Sequence, residues 1–164
     1  MKFTKKQIDR YSRQIILKKV GVIGQKKLLK ASVLIVGVGG LGSPIAIYLA
    51  ALGIGKIGIV DKDTVEISNL SRQIIFSTND LKKKKSSAAI NKLRKMNPDI
   101  KLHSFNKRLT KKNINQIAKN FDLIVDGSDN FRTRFLINDY CLKNRKILVS
   151  GAISKFDGQV YTFN

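Results

Sequence analysis

Three short stretches of this chain combine residue types suited to holding a phosphorylated nucleotide. Gly37-Val38-Gly39-Gly40-Leu41-Gly42 has the G-x-G-x-x-G spacing, preceded by the apolar run Val33-Leu34-Ile35-Val36 and followed by an apolar segment of helical character. Glycine there permits a tight turn and close backbone approach, and the following helix N-terminus offers free N–H groups to a phosphate. Asp61, roughly 20 residues on at the end of the next apolar run, can accept hydrogen bonds from ribose hydroxyls. These features alone fit either NAD or ATP. The stretch from Asp61 and Asp63 through Ser68-Asn69-Leu70-Ser71-Arg72-Gln73 tilts the choice, because a triphosphate needs several cationic and amide donors and Asn69, Arg72 and Gln73 supply them. The third stretch, Asp126-Gly127-Ser128-Asp129-Asn130, presents carboxylates to a hard cation such as magnesium. Asp129 is the metal candidate, and it could equally cap the helix that starts near Phe131.

Positioning these stretches together takes a particular scaffold. Thr4 and Gln7 have capping-box spacing before apolar residues at helical intervals, so a helix is expected over 5–18. A turn punctuated by Gly21 and Gly24 should lead to a second short helix at 25–31. The remainder alternates. Strands are expected at 33–36, 57–60, 100–105, 123–125 and 147–149, with helices at 43–52, from Asp80 to near Asn97, from a Thr110 cap to Lys119, and at 131–143. Residues 158–163 follow a turn signal without an intervening helix and read as an antiparallel strand. The expectation is therefore an α/β, Rossmann-like, doubly wound and mostly parallel sheet with an N-terminal helical arm. It forms one domain over 1–164, with the arm at 1–31 and the core at 32–164. Ligands on such sheets sit beyond the carboxyl ends of the strands, where all three stretches fall.

Composition narrows the class. With 43% hydrophobic residues in 164, one well-buried domain is expected. The chain has neither a leader pattern nor an apolar stretch near the roughly 20 residues needed to span a bilayer, so a cytoplasmic protein with no membrane partner is expected. The single cysteine, Cys141, can form neither an internal disulfide nor a four-thiolate zinc site, and its apolar neighbours place it in the core. The net charge of +21 attracts phosphates, but lysine spread over most helices and the absence of Trp argue against nucleic acid as a partner. His103 reads as structural.

Taken together, Arg10-Tyr11-Ser12-Arg13-Gln14-Ile15, the glycine turn, the 61–73 stretch and Ser128-Asp129-Asn130 followed by Arg134 resemble the adenylating domain of the ubiquitin-activating superfamily, of the ThiF, MoeB and HesA type. The resemblance spans essentially the whole chain and is strongest toward the thiamine-pathway ThiF type, with MoeB a near rival. It implies ATP-dependent adenylation of the C-terminal carboxylate of a small ubiquitin-like sulfur-carrier protein, in thiamine thiazole or molybdopterin synthesis. It implies that Gly40 lies against the nucleotide, Asp61 binds ribose, Ser68 to Arg72 line the phosphates, Lys85 neutralises phosphate charge, and Asp129 holds Mg²⁺ with Asn130 beside it. Arg13 would reach the γ-phosphate of a partner copy, which implies a homodimer. Relatives of this type usually continue past the position of Asn164 into paired Cys-x-x-Cys zinc ligands and a crossover segment. The resemblance thus reads this chain as C-terminally truncated and without a zinc site. The competing readings are an NAD-dependent oxidoreductase, an ATP-binding module without full activity and, on charge alone, a nucleic-acid binder.

Overall fold

The computed structural model describes residues 2–164; the residue before them, included in the expected domain, lies outside the described residues. The elements run α1 (Lys5–Ile15), α2 (Gly21–Lys30), β1 (Ser32–Val36), α3 (Gly42–Leu52), β2 (Lys56–Val60), two 3₁₀ turns (Ile67–Asn69 and Thr78–Asp80), α4 (Lys85–Met96), β3 (Lys101–Phe105), α5 (Ile114–Ala118), β4 (Leu123–Asp126), α6 (Phe131–Asn144), β5 (Ile147–Ser154) and β6 (Asp157–Phe163). They build one six-stranded sheet of order β3-β2-β1-β4-β5-β6, parallel except for the β5–β6 pair. The order reverses beside β1, so the crevice between the β1 and β4 loops is the switch point at which doubly wound sheets bind ligands.

Burial explains this arrangement. All five residues of β1 are buried, as a central parallel strand covered on both faces requires. One core cluster packs Ile35, Ile57, Ile59, Ala46, Ala50, Ala89 and Leu93 between the sheet and the α3–α4 layer. The opposite cluster packs Leu34, Val36, Ile124, Ile117, Ile137 and Cys141 against α5 and α6. The N-terminal arm is tied to the first layer through Tyr11, fully buried against Gly53, whose hydroxyl accepts from Asn97 Nδ2 at 3.0 Å. A Cβ at Gly53 would lie 2.6 Å from the Tyr11 ring, and its φ of +83° is a second reason for glycine.

Several boundaries differ from those expected. The first helix ends at Ile15, and the turn precedes Gly21 rather than containing both glycines, because α2 starts at Gly21 with its φ of +57° and carries Gly24 inside it. The helix expected from Asp80 begins only at Lys85. Ser77 and Asp80 close a 3₁₀ turn on each other, and the lysine run then extends against residues 63–65: Val65 N–H donates to Lys83 O, Lys82 N–H to Val65 O, and Lys85 N–H to Asp63 O, each at 2.9 Å. Thr110 does not cap α5; Asn113 precedes that helix, which covers only Ile114–Ala118. The fifth strand is longer than read, reaching Ser154 through its hairpin with β6. No helix among the described residues is long and apolar enough to cross a membrane.

Candidate functional site

The loops at the carboxyl ends of β1, β2, β3 and β4 enclose a cavity of about 530 Å³. Its walls include Gly37, Gly39 and Gly40 from the first loop, Asp61, Lys62 and Asp63 from the second, and Gly127, Ser128, Asp129 and Asn130 from the fourth. Arg72 and Gln73 close it from the long β2–α4 connection, and Lys85 from the first residue of α4. The three stretches that the sequence singles out thus share one space, and Arg72 and Asp129 face the same volume.

The glycines divide the work. Gly37, at φ +84°, makes the turn, and a Cβ there would sit 3.0 Å from Gly127 O. Gly42 does not line the cavity; a Cβ on it would lie 1.9 Å from Gly37 O, so its role is the close fit of α3 against the turn. Added Cβ atoms at Gly39 and Gly40 meet only Gln73 Nε2 at 3.7 Å and the Arg72 stem at 3.8 Å. These two therefore leave room on the cavity side.

Asp61 holds the floor together. Its Oδ2 accepts from Val38 N–H at 3.0 Å and its Oδ1 from Asp63 N–H at 2.9 Å. Burial pushes its carboxyl above the usual range, against the pull of those two N–H groups and Lys85. Asp63 shifts the other way, held low by the hydrogen bond from Lys62 Nζ at 2.8 Å. Lys85 is buried although Lys82, Lys83 and Lys84 before it are exposed. Its ammonium lies 4.0 Å from Asp63 Oδ2, the geometry fixed by the extended pairing of the lysine run with residues 63–65. Gln73 lines the cavity and is itself buried, with its Oε1 free of any hydrogen-bond partner.

At the β4 end, Asp126 is consumed by structure. Its Oδ1 accepts from both the N–H and the hydroxyl of Ser128, and its Oδ2 accepts from Ser150 Oγ at 3.0 Å. Arg134 clamps the same loop to β5, donating at 2.8 Å to both Ser128 O and Gly151 O. Asn130 caps α6, its Oδ1 accepting from Thr133 N–H at 3.0 Å. Asp129 is not the cap. It is exposed at the rim with one side-chain contact, from Asn130 Nδ2 at 3.4 Å, leaving its carboxylate free to take a cation. Among the described residues no three His, Cys, Asp or Glu side chains gather to hold a metal by themselves.

Other sequence candidates lie off the cavity. Ser68, Leu70 and Ser71 are not on its wall, and Asn69 is buried, with its Oδ1 accepting from Glu66 N–H at 3.1 Å. That bond shapes the turn from which Arg72 departs, and Arg72 Nη1 donates back to Ser68 O at 3.1 Å. Arg13 is exposed on α1, outside this cavity. Cys141 is buried, its thiol pushed up to about 11 chiefly by burial. His103 is exposed on edge strand β3, its ring edge-on to Phe121. Lys107, Arg108 and Leu109, outside the three stretches, also line the cavity from the loop after β3. No motif marks them; their position past a strand's carboxyl end is the signal that could have found them.

Comparison with known proteins agrees with this geometry. The chain is 47% identical over 164 residues to a sulfur carrier protein adenylyltransferase from Thermus thermophilus, covering all of this chain and 60% of that protein. It is 48% identical to a probable molybdopterin-synthase adenylyltransferase from Porphyra purpurea, over 99% of this chain and 42% of the other. A crystal structure of E. coli MccB with ATP superposes with a TM-score of 0.73 at 30% identity, over 78% of this chain and 38% of that one. The chain thus spans about half the length of the curated relatives it matches. Residues 11–164 match the ThiF family, and the chain belongs to it.

Proposed function

We propose that this chain binds ATP in the cavity described above and adenylates the C-terminal carboxylate of a small ubiquitin-like sulfur-carrier protein. The observation that carries the reading is the convergence of Gly40, Asp61, Arg72, Lys85 and Asp129 on one space at the carboxyl end of the sheet. The relatives named as adenylyltransferases support the choice of reaction.

In this reading a carboxylate oxygen of the carrier forms a bond to the α-phosphorus of ATP as the bond from that phosphorus to the β-bridging oxygen breaks. Pyrophosphate leaves with the electron pair, and the products are pyrophosphate and an acyl-adenylate. The carboxylate is already ionised, so no strong base is needed. The protein's part is placement and neutralisation of charge. The N–H groups of the glycine turn and the α3 N-terminus face the phosphates. Arg72 and Lys85 neutralise them, while Ser68, Asn69, Leu70 and Ser71 hold the Arg72 turn in place. Asp61, its lone pairs partly used by Val38 and Asp63, takes the ribose hydroxyls. Mg²⁺ suits the donors present: it commonly binds one or two carboxylates together with substrate phosphates, and Asp129 offers one unengaged carboxylate. When bound, it would offset charge on the leaving pyrophosphate. Arg13 would act in a homodimer by reaching the partner's site, and the chain would work in the cytoplasm.

The direct test is carrier-dependent exchange of labelled pyrophosphate into ATP by the purified chain. Exchange that requires both the carrier and Arg72 supports the reading. ATP binding without exchange reduces the chain to a nucleotide-binding module, and preference for NADH over ATP in titration defeats the assignment outright.

A further inference from the structure

Next to the nucleotide cavity lies a second one of about 640 Å³, between the β3–α5 loop and the outer face of α6. The two share Arg108, Leu109 and Thr133 as a common wall, so the second space opens beside the first. Its charge is one-sided: Arg108, Lys111, Lys112 and Arg132 stand around it against the single carboxylate of Asp139. Its floor is apolar, with Leu136 half-buried and the Phe135 ring 65% exposed among the cations. Lys111, Lys112 and Arg132 are all exposed, and none of the three takes part in a salt bridge closer than 4 Å.

We infer that this second cavity docks an acidic segment of the protein whose carboxylate is adenylated. The inference rests on the function proposed above and names the face that receives the partner. A cavity ringed by cations selects an anion, and electrostatic complementarity of this kind guides encounter and register. The apolar floor favours a polypeptide over a small anion, because an exposed aromatic ring beside charges gains most from an apolar side chain seated on it while acidic neighbours meet the cations. Asp139 on the wall disfavours an unbroken run of phosphates. The shared wall at Arg108, Leu109 and Thr133 lets one partner occupy the second cavity while its chain end enters the first.

The test is direct binding of a purified ubiquitin-like sulfur carrier ending in glycine to the full chain and to the triple variant Lys111→Glu, Lys112→Glu, Arg132→Glu, without ATP. None of the three side chains lines the nucleotide cavity, so affinity for a fluorescent ATP analogue stays unchanged and reports an intact fold. Carrier affinity falls by about tenfold or more, as like-charge contacts replace complementary ones. Unchanged carrier affinity, or no carrier binding by the wild-type chain, overturns the inference. So does loss of a labelled single-stranded RNA from the variant while carrier binding persists, which makes the cavity a nucleic-acid site. A wild-type chain that binds carrier through these residues yet catalyses no pyrophosphate exchange upholds the docking face and defeats only the adenylation reading.

Discussion

Asp61 Oδ2 accepts a hydrogen bond from the main-chain N–H of Val38 at 3.0 Å, joining the end of β2 to the middle of the glycine turn. The same carboxylate accepts from Asp63 N–H, and Asp63 O accepts from Lys85 N–H. A chain of three contacts thus runs from the turn to the first residue of α4. The acid that sequence reasoning assigns to ribose is also the joint that sets the spacing between the turn and Lys85.

Replacing this joint has a pH signature. Burial raises the Asp61 carboxyl above its ordinary value of 3.8, so its contribution to stability is present below that value and is lost as pH rises through the folded value. Asp63, held low by Lys62, has the opposite sign: its contribution is present above 3.8 and is lost as pH falls through its folded value. Asp61→Asn leaves one of two N–H groups facing an amide donor, a cost of about 1–3 kcal/mol. The variant is also spared the cost of ionising a buried acid. Its deficit relative to wild type therefore narrows as pH rises above 3.8 toward neutrality. Urea unfolding at a series of pH values checks this, and a deficit that widens instead contradicts the assignment.

The turn glycines separate stability from binding. Gly42→Ala drives a Cβ to 1.9 Å from Gly37 O, a main-chain atom that cannot step aside, and overpacking of this kind costs about 1–3 kcal/mol or more. Gly40→Ala meets only the flexible Arg72 stem at 3.8 Å, and its Tm stays close to wild type while its methyl intrudes on the nucleotide side. Thermal melts together with ATP titration should show a large Tm loss for the first variant and weakened ATP binding at normal Tm for the second. The reverse assignment would remove Gly40 from the nucleotide wall.

The fold was legible because buried parallel strands leave a strong mark: Val33 to Val36 and Leu123 to Val125 are uninterrupted apolar runs, and each ends where a site loop begins. The glycine turn and Asp129 could be placed by the same logic, since a motif at a strand's carboxyl end has one side to face. Three features escaped for physical reasons. The lysine run from Lys82 has helix-forming composition, yet its backbone is captured by pairing with residues 63–65, a tertiary bond that local propensity does not encode. Asn69 reads as a phosphate donor, but it is buried off the cavity wall, and its side-chain oxygen accepts from Glu66 N–H in shaping the loop itself. Lys107 and Arg108 carry no motif, and only the topology brings the end of β3 beside the β1 and β4 loops.

Cys141 tests whether the site works without a thiol. Burial in the α6 layer lifts its thiol to about 11, so at neutral pH it is a protonated core side chain. A thiol reagent at pH 8 should label it slowly in the folded chain and quickly in denaturant, and Cys141→Ala should leave ATP affinity unchanged while lowering stability. Because the folded value exceeds the ordinary 9.0, the thiol's contribution to stability is present below 9 and is lost as pH rises through about 11. Rapid labelling of the native chain would place Cys141 at the surface and contradict its place in the core.

Asp129 and Asn130 are adjacent, and the structure gives them different work. Asn130 caps α6 through Thr133, so Asn130→Ala should cost about 1 kcal/mol of stability, within the usual range for an N-cap. Asp129 makes one long contact, at 3.4 Å, and holds nothing in place. Asp129→Ala should melt like wild type and yet slow carrier-dependent pyrophosphate exchange by about two orders of magnitude, since a group that holds a catalytic cation supplies several kcal/mol to the phosphoryl-transfer barrier. Raising the Mg²⁺ concentration should recover part of that loss if the carboxylate acts through the metal, and a free-Mg²⁺ titration of the exchange rate separates this from a loss of ATP binding. An unchanged exchange rate in Asp129→Ala, with the Asn130→Ala melt lowered as described, would leave the β4 loop a purely structural cap and move the cation's ligand elsewhere in the cavity.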